Sequence, residues 1–279
     1  MQVGELLKRY AAGERDFREA NLQGASLVGV DLSQVNLLRA NLSKVNLKGA
    51  SLSQVNLREA NLTEAILHGT DLHEANLIGS NLVKANLIEA NLSDASLRAA
   101  NLSEANLTGA NLTETILSEA MLRQTNLSRA KLIDAILSRT NLSNAILVGA
   151  MLEGANLTNA VVIGANLKGA NLAKALLHGA NFTGADLSQV DLSRAKASGT
   201  NMADAILIGA NLRGASLSWT TLRGANLTKA NLYRAKLCWS NLTGATLVEA
   251  VLLDANLNQV NLRNADLSGA IMPNGIHHE

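Results

Sequence analysis

Several residue types that usually indicate a fold or a reaction are nearly absent from this chain of 279 residues. It has one cysteine, one proline, and two each of Trp, Tyr and Phe. A single cysteine excludes an internal disulfide framework, and no apolar run approaches the length of about 18 residues that a membrane-spanning helix needs. Lys and Arg number 24 against 23 Asp and Glu, so the formal net charge is only +1.

What the chain has in abundance is a period of five residues. From Phe17 to Met272 every position whose number ends in 2 or 7 is apolar, and 46 of these 52 positions are Leu. Two residues before each of them, Arg15 excepted, stands a small residue, which is Ala in 37 cases. No insertion or deletion interrupts the pattern. About nine-tenths of the chain is therefore scaffold, which says little about its task.

A period of five fits neither an α-helix nor an uninterrupted β-strand, but it fits a short extended segment followed by a corner. Residues two apart on an extended segment point the same way, so Ala40 and Leu42 face inward and Asn41 faces outward. The pair Ser43 and Lys44 then turns the chain. Repeated corners wind the chain into stacked coils around a continuous column of Leu and Ala.

The unit (Ala/Val/Thr)-(Asn/Asp)-Leu-x-x over residues 15–272 resembles the pentapeptide repeat family. The resemblance implies an all-β fold, a right-handed quadrilateral β-helix with four pentapeptides per coil and about 13 coils in a rod roughly 60 Å long, at a spacing of about 4.8 Å. Residues 20 apart would then stack, and the outward Asn columns would hydrogen-bond between coils. Residues 6–17 and 271–275 are also similar to segments of cyanobacterial members.

The first residues do not repeat, and they predict a short helix. Apolar residues recur there with the spacing of one helical face, and Gly13 follows as a stop signal. We predict an N-terminal capping helix in residues 1–14, the β-helix in 15–272 and a tail in 273–279, with a membrane-surface helix as the alternative for the first segment. The apolar stripe consists of Val3, Leu6, Leu7, Tyr10 and Ala11.

The two ends also carry expectations about assembly and compartment. Pro273 cannot donate a ladder hydrogen bond, and Ile276 could fold back over the last coil. Alternatively the last coil stays partly uncovered and pairs with another molecule, so we expect a monomer or an end-to-end dimer. The N-terminal segment lacks the features of a signal peptide, which favours the cytoplasm.

A catalytic site needs polar groups that converge in a pocket, and this pattern offers none. His73-Glu74 begins like a zinc-protease motif, but Leu77 stands where the second His belongs. Cys238 has no neighbouring Cys and no base in its repeat. We therefore predict that the protein is not an enzyme and has no catalytic, cofactor-binding or metal-binding residues.

The aromatic residues give the first candidate site for a partner. Trp219 and Trp239 are the only tryptophans, and they stand 20 apart at the second corner position. The quadrilateral arrangement stacks them on one exposed side, with Tyr233 on the adjoining side, and Gly179 and Gly199 in the same column leave the rings open. Trp is enriched in binding hot spots. The alternative is ladder packing without a partner.

A second candidate is a group of apolar residues near the middle of the chain. Most of them replace the outward Asn or Asp of a pentapeptide, and Ile133, Val148 and Ile163 are outward residues at nearby corners. Ile136, Ile146 and Val148 are the residues that we select as possible partner contacts. The alternative is that β-branched residues suit extended segments and stay half exposed. Similar residues nearby are Ile116, Met121, Ile133, Met151, Val161 and Ile163.

These observations favour a non-enzymatic protein-interaction or scaffold role with an unknown protein partner. The family resemblance also implies an alternative, modulation of DNA gyrase by imitation of DNA. The net charge of +1 and the lack of a C-terminal dimerisation element disfavour that alternative. Positive and negative charges are interleaved along the chain, so we expect no nucleic-acid partner and no membrane insertion.

Overall fold

The computed structural model describes all 279 residues, and the chain divides into two compact units, Met1–Thr140 and Asn141–Glu279. One helix, α1 (Val3–Ala11), lies in unit 1. From residue 16 to residue 272 both units consist of the five-residue segment repeated, with a single backbone bridge in each segment and a turn between segments. The division into residues 1–14, 15–272 and 273–279 stays a prediction.

Extended segments pair with the segment 20 residues away, so four pentapeptides make one coil. In unit 1 Asn36 bridges Asn56 in parallel, and in unit 2 Lys196 bridges Ser216. The N–H of Leu37 donates to the carbonyl oxygen of Asn56 at 2.8 Å. The all-β expectation needs one correction: the structure has isolated bridges and no multi-residue strand, because a corner interrupts the chain every five residues. The number of about 13 coils stays a prediction.

Each corner is a tight turn with the second corner residue in the left-handed region. The N–H of Ala40 donates to the carbonyl oxygen of Leu37 at 3.0 Å, and Arg39 between them has a φ of 57°. A positive φ only at the second central residue is the signature of a type II turn. Gly or a long polar residue usually occupies this position, and no Val, Ile or Thr does, because β-branched side chains are excluded from that region.

The interior of both units is a column of buried Leu and Ala. Inward Thr and Ser replace Ala without leaving an unsatisfied hydroxyl, because each hydroxyl finds a carbonyl oxygen. Thr70 donates to the carbonyl of Leu47 and Ser80 donates to that of Leu77, both at 2.7 Å. No buried side-chain nitrogen or oxygen lacks a hydrogen-bond partner.

The outward Asn residues act mainly within their own turn. The Oδ1 of Asn41 accepts from the N–H of Ser43 at 3.2 Å and from its hydroxyl at 2.8 Å. This arrangement is an Asx turn, and it explains why Ser and Thr accumulate at the first corner position. The expected bonds between coils also form at some positions, as from Asn56 Nδ2 to Asn36 Oδ1 at 2.9 Å. The turn contact within one pentapeptide is the more widespread of the two.

The N-terminal end of unit 1 is covered. Of the predicted apolar stripe, Leu6 is buried, most others are half-buried, and Ala11 is exposed instead. The hydroxyl of Tyr10 donates to the carbonyl oxygen of Ser33 at 3.3 Å. Gly13, with a φ of 94°, ends the segment as predicted. The inward residues of the adjoining coil are fully buried: Phe17, Leu22, Leu27 and Leu32.

An ion pair closes the connection between α1 and the first pentapeptide. The Nε of Arg9 donates to Glu14 Oε2 at 2.8 Å, and a second guanidinium nitrogen donates to the other carboxylate oxygen. The hydrogen bond from Arg9 lowers the pKa of the Glu14 carboxyl below its usual value. Arg9 also lies 5.2 Å from the centre of the Phe17 ring. The pair therefore ties the helix to the start of the repeats.

The C-terminal end of unit 2 is covered only along one edge. The tail turns back, so that His277 bridges Ile271 in antiparallel fashion and the N–H of Gly269 donates to the carbonyl of His278 at 2.8 Å. Of the two alternatives for this end, the one in which Ile276 folds over the coil is not seen: Ile276 is 64% exposed, because the antiparallel return directs it to solvent. The inward residues of this last coil remain half-buried: Leu257, Leu262, Leu267 and Met272.

Candidate functional site

The structure brings Trp219 and Trp239 together as a stacked pair on the surface of unit 2. Their ring centroids are 5.3 Å apart and the ring planes differ by 5°. Both residues are second corner residues, with φ values of 62° and 63°. The side chains nevertheless stay open to solvent, with exposures of 65% and 53%. The pair is thus both a packed ladder and an exposed aromatic surface.

One face of the Trp219 ring is free, because the column ahead of it carries glycine. Gly199 stands one coil before Trp219, and a Cβ at that position would meet nothing within 4 Å. Gly179 stands one coil further, and there Asn159 Oδ1 lies 2.4 Å from where a Cβ would be. Asn159 therefore occupies the space over Gly179 and leaves the space over Gly199 empty. We call this space, between the Trp219 ring and Asn159, the Gly199 slot.

The side of unit 2 that carries the tryptophans has no carboxylate. Its outward column contains Lys196 and Lys236, linked through Ser216 by parallel bridges. Neither lysine takes part in an ion pair. We call this side the tryptophan face; it comprises residues 155–159, 175–179, 195–199, 215–219, 235–239 and 255–259.

Tyr233 lies at the corner next to the tryptophan face and contacts cations instead of the tryptophans. The guanidinium carbons of Arg213 and Arg234 are 4.9 and 4.8 Å from the centre of its ring. Arg234 also donates to Asp254 Oδ2 at 3.2 Å. The three predicted aromatic contacts are therefore one stacked pair and one separate tyrosine that is already engaged.

The other predicted contacts fall on two separate surfaces, one in each unit. In unit 1 Ile136 bridges Ile116, and both side chains are exposed. In unit 2 Ile146 and Val148 are exposed residues of the same pentapeptide. Each is a small apolar patch, without an aromatic group or a visible slot beside it.

His73 is held by its neighbours on the surface of unit 1. Its Nδ1 lies 3.0 Å from Ser93 Oγ and its Nε2 lies 3.2 Å from Glu74 Oε1. No three or more His, Cys, Asp or Glu side chains form a group suited to a metal ion. α1 is far too short to cross a membrane, and no other helix is present.

Comparison with known proteins identifies the repeat. A family model described as pentapeptide repeats matches the chain in eight copies, which lie at residues 16–54, 56–94, 90–129, 125–162, 163–196, 191–228, 205–244 and 230–269. The chain belongs to the pentapeptide repeat family. Its fold is accordingly a right-handed β-helix, and the match points to no catalytic family.

Solved pentapeptide repeat structures are similar to the chain over different lengths. HetL from the cyanobacterium Nostoc sp. strain PCC 7120, described as involved in heterocyst differentiation regulation, is 36% identical, with 100% of both chains covered and a TM-score of 0.46. Rfr23 from the cyanobacterium Cyanothece 51142 is 30% identical over 38% of this chain and 86% of its own, with a TM-score of 0.35.

A third similar structure comes from a more distant pentapeptide repeat protein. QnrB1, a plasmid-mediated fluoroquinolone resistance protein, is 20% identical, covering 71% of this chain and 91% of its own, with a TM-score of 0.38. A search of proteins with curated functions finds no match.

The sequence analysis missed how charges are arranged in this pentapeptide repeat protein. Many corner charges pair with the residue 20 positions away, as Arg39 does with Glu59 at 2.7 Å and Lys229 with Glu249 at 3.5 Å. The tryptophan face lacks such pairs because it has no acid. The charge pairs and the face without acids can both be found in the sequence when residues 20 positions apart are compared. Residue by residue along the chain, positive and negative charges only appear mixed.

Proposed function

We propose that this pentapeptide repeat protein is a non-enzymatic scaffold that binds another protein through the tryptophan face. The observation that carries the proposal is the stacked pair of Trp219 and Trp239, whose rings remain more than half exposed. Tryptophan is the residue type most enriched among the contacts that dominate protein interfaces. We propose no nucleic-acid partner and no membrane insertion for this role.

The pair is suited to binding because its rings are ordered before a partner arrives. Stacking fixes each ring against the other, and each backbone N–H is bonded to the next coil, as from Trp219 to the carbonyl of Cys238 at 3.0 Å. Ordering a mobile side chain at an interface costs about 0.5–1.5 kcal/mol, and a preordered ring avoids most of that cost. A rigid aromatic surface therefore favours a partner more than two flexible tryptophans would.

The relative HetL supports the class of role that we propose. It is 36% identical along the full length, and its description places it in the regulation of a differentiation process. We extend to this chain only a general role in regulation, and we propose contact with another protein and the cytoplasm as its compartment. The partner is to be identified by experiment.

The test is affinity capture with variants that remove one candidate surface at a time. The first bait is Trp219→Gln/Trp239→Gln, since Gln34 and Gln54 already occupy the same corner position, with φ values of 62° and 57°. The second is Ile146→Ser/Val148→Ser, which removes the apolar patch of unit 2. A captured protein must then be purified and shown to bind the unaltered chain directly.

We expect the partner to bind the unaltered chain and the Ile146/Val148 variant, and to be lost from the tryptophan variant. A partner that binds the tryptophan variant equally well would refute the proposal, and its loss from the second bait would move the interface to Ile146 and Val148. Inhibition of gyrase in an ATP-dependent supercoiling assay at micromolar protein would support the alternative role.

We also propose different roles for the two ends. α1 acts as a cap, because Leu6 is buried beside a fully buried first coil. The last coil, whose inward residues are half-buried, allows end-to-end pairing between two copies at high concentration. Sedimentation velocity over a range of concentrations tests this pairing. If the protein stays strictly monomeric even after its tail has been removed, the pairing is contradicted.

A further inference from the structure

The Gly199 slot lies one step along the column from the Trp219 ring. Trp219 and Trp239 show that successive positions of this column hold parallel rings with centroids 5.3 Å apart. The same step taken in the other direction from Trp219 leads to the Gly199 position, where nothing lies within 4 Å of an added Cβ. A planar group placed there would extend the stack by one ring.

The far wall of the slot limits it to that single ring. Asn159 Oδ1 fills the space over Gly179, so a second ring has no room beyond the first. Asn159 also presents an amide that can contact the edge or face of an incoming ring. The slot therefore selects one planar group, held between the indole of Trp219 and a polar side chain.

The charges around the slot favour an anionic partner segment. Lys196 belongs to the same pentapeptide as Gly199, and Lys236 to that of Trp239. Arg194, at the corner just before Lys196, is likewise free of ion pairs, and the tryptophan face contains no carboxylate that would repel acidic residues. About half of the corner cations elsewhere in the chain, such as Arg39 and Lys229, are already paired across coils.

We propose that the Gly199 slot accepts one aromatic side chain from a partner protein, carried on a short acidic segment. The aromatic ring stacks on the free face of Trp219, and the flanking carboxylates lie against Lys196 and Lys236. This inference rests on the proposed scaffold function, since it specifies the chemistry of the partner at the tryptophan face.

A protein segment fits better than a single-stranded nucleic acid. Binding of single strands uses several successive stacking platforms along a continuous basic groove. Here Trp219 and Trp239 cover each other, and the slot leaves room for only one added ring. The remaining aromatic group nearby, Tyr233, is occupied by two arginines.

The direct test uses the two tryptophans as reporters. Since they are the only tryptophans in the chain, intrinsic fluorescence reports on this site alone. The probe is a short peptide with one phenylalanine between glutamate pairs. The first control peptide has alanine in place of phenylalanine, and the second has lysine in place of glutamate. We expect saturable quenching by the probe and at least tenfold weaker binding of both controls.

Two pairs of variants separate the slot from general effects, with a labelled probe followed by fluorescence anisotropy. Gly199→Trp fills the slot, and the φ of 62° at Trp219 shows that the corner accepts Trp; its matched control is Gly69→Trp in unit 1, which also meets nothing within 4 Å. Lys196→Glu reverses a charge of the tryptophan face, and Lys168→Glu reverses one outside it. We expect at least a tenfold loss for Gly199→Trp and for Lys196→Glu, and less than a twofold change for the two controls.

Several results would overturn the inference. One is the absence of quenching at about 5 mM probe, since even a weak interaction of about 4 kcal/mol gives a millimolar Kd. Another is equal binding of the probe and the alanine control, or full binding by Gly199→Trp. Tighter binding of an oligonucleotide than of the probe, abolished by Trp219→Gln, would assign the slot to a nucleobase.

The inference and the proposed function fail in distinguishable ways. If the partner from affinity capture depends on the tryptophans but ignores Gly199→Trp and Lys196→Glu, the scaffold function stands and the slot chemistry is wrong. If the partner ignores the tryptophan variant altogether, the scaffold interface itself is wrong.

Discussion

At the N-terminal end of unit 1 the inward residues of the first coil, from Phe17 to Leu32, are as buried as those deep inside the unit. At the C-terminal end of unit 2 the corresponding residues, from Leu257 to Met272, are half-buried. Both ends are built from the same pentapeptide, and the interior residue is Leu at most positions of each. The chain beside them differs: a helix with a buried Leu6 precedes the first coil, and a short antiparallel tail follows the last.

The comparison shows that the burial of an inward residue depends on its neighbouring coils and not on the pentapeptide alone. An inward Leu is shielded only if a coil or another element lies on each side of it, as expected for a solenoid in which each repeat contacts its neighbours alone. In unit 1 we propose that α1 supplies that second side. The last coil has no such element, so its leucines contribute less to stability than identical leucines elsewhere.

The largest effect is expected from breaking the covered end. Leu6→Asp buries an unpaired charge or forces α1 away from the first coil, and it should lower the free energy of unfolding by about 3–5 kcal/mol. Lys8→Asp, on the exposed side of the same helix, should stay within about 0.5 kcal/mol. Urea denaturation followed by circular dichroism measures both. Similar losses for the two variants would mean that α1 does not cover the coil.

A matched pair of leucines sharpens the comparison within unit 2. Leu167→Ala removes a fully buried side chain and should cost about 2–5 kcal/mol. Leu267→Ala, at the equivalent position of the last coil, should cost less than half of that, about 1 kcal/mol, because part of its surface is already in water. The measurement is again urea denaturation. Equal losses at the two positions would show that the last coil is covered in solution.

Removal of residues 273–279 tests the weaker cover. The tail bonds to Gly269, Ala270 and Met272 through backbone groups at 2.8 Å. Without it these groups turn to water, which should cost only about 1 kcal/mol, while the bare edge should pair more readily with a second copy. Sedimentation velocity should show more dimer for the truncated protein than for the full chain, and an unchanged profile would argue against pairing through this edge.

The smallest effect concerns the ion pair beside α1. Arg9 holds the pKa of the Glu14 carboxyl below its usual value, so this contribution to stability is present above the unfolded pKa of about 4.3 and is lost as the pH falls through the lower folded value. Glu14→Gln should therefore be slightly less stable than the unaltered protein at neutral pH, and the gap should close in acid. Urea midpoints at about pH 7 and about pH 3 measure it; a gap that persists at the lower pH would assign the effect to packing.

Much of the fold could be predicted because one short pattern repeats without interruption. The inward Leu and Ala and the corners follow from the period of five, and the helix near Leu6 follows from its own helical spacing. The stacking of Trp219 on Trp239 follows from the register of 20 that the family resemblance implies. The pattern does not determine whether each extended segment forms a strand of several residues or a single bridge. Only single bridges form, because little extended chain remains between two corners.

The direction of the tail and the charge of the tryptophan face could not be predicted in the same way. Ile276 lies outside the repeat, so no periodicity fixes which way its side chain points, and the antiparallel turn decides it. Lys196 and Lys236 lie two coils apart in the chain, and Asp204, the one acid between them, belongs to another side of the coil. The charge of a surface built from distant segments can be predicted only when the register that brings those segments together is known.

The left-handed second corner has a consequence for how such a chain can change over generations. Arg39, Asp94 and Trp219 occupy it with nearly the same φ as the glycines there, and their side chains leave the backbone away from the Leu column. A single substitution at one corner can therefore change a small patch of surface without altering the coil beneath it. Two neighbouring changes to Trp would suffice to create an aromatic pair. A family built this way can acquire new partners without rebuilding its interior.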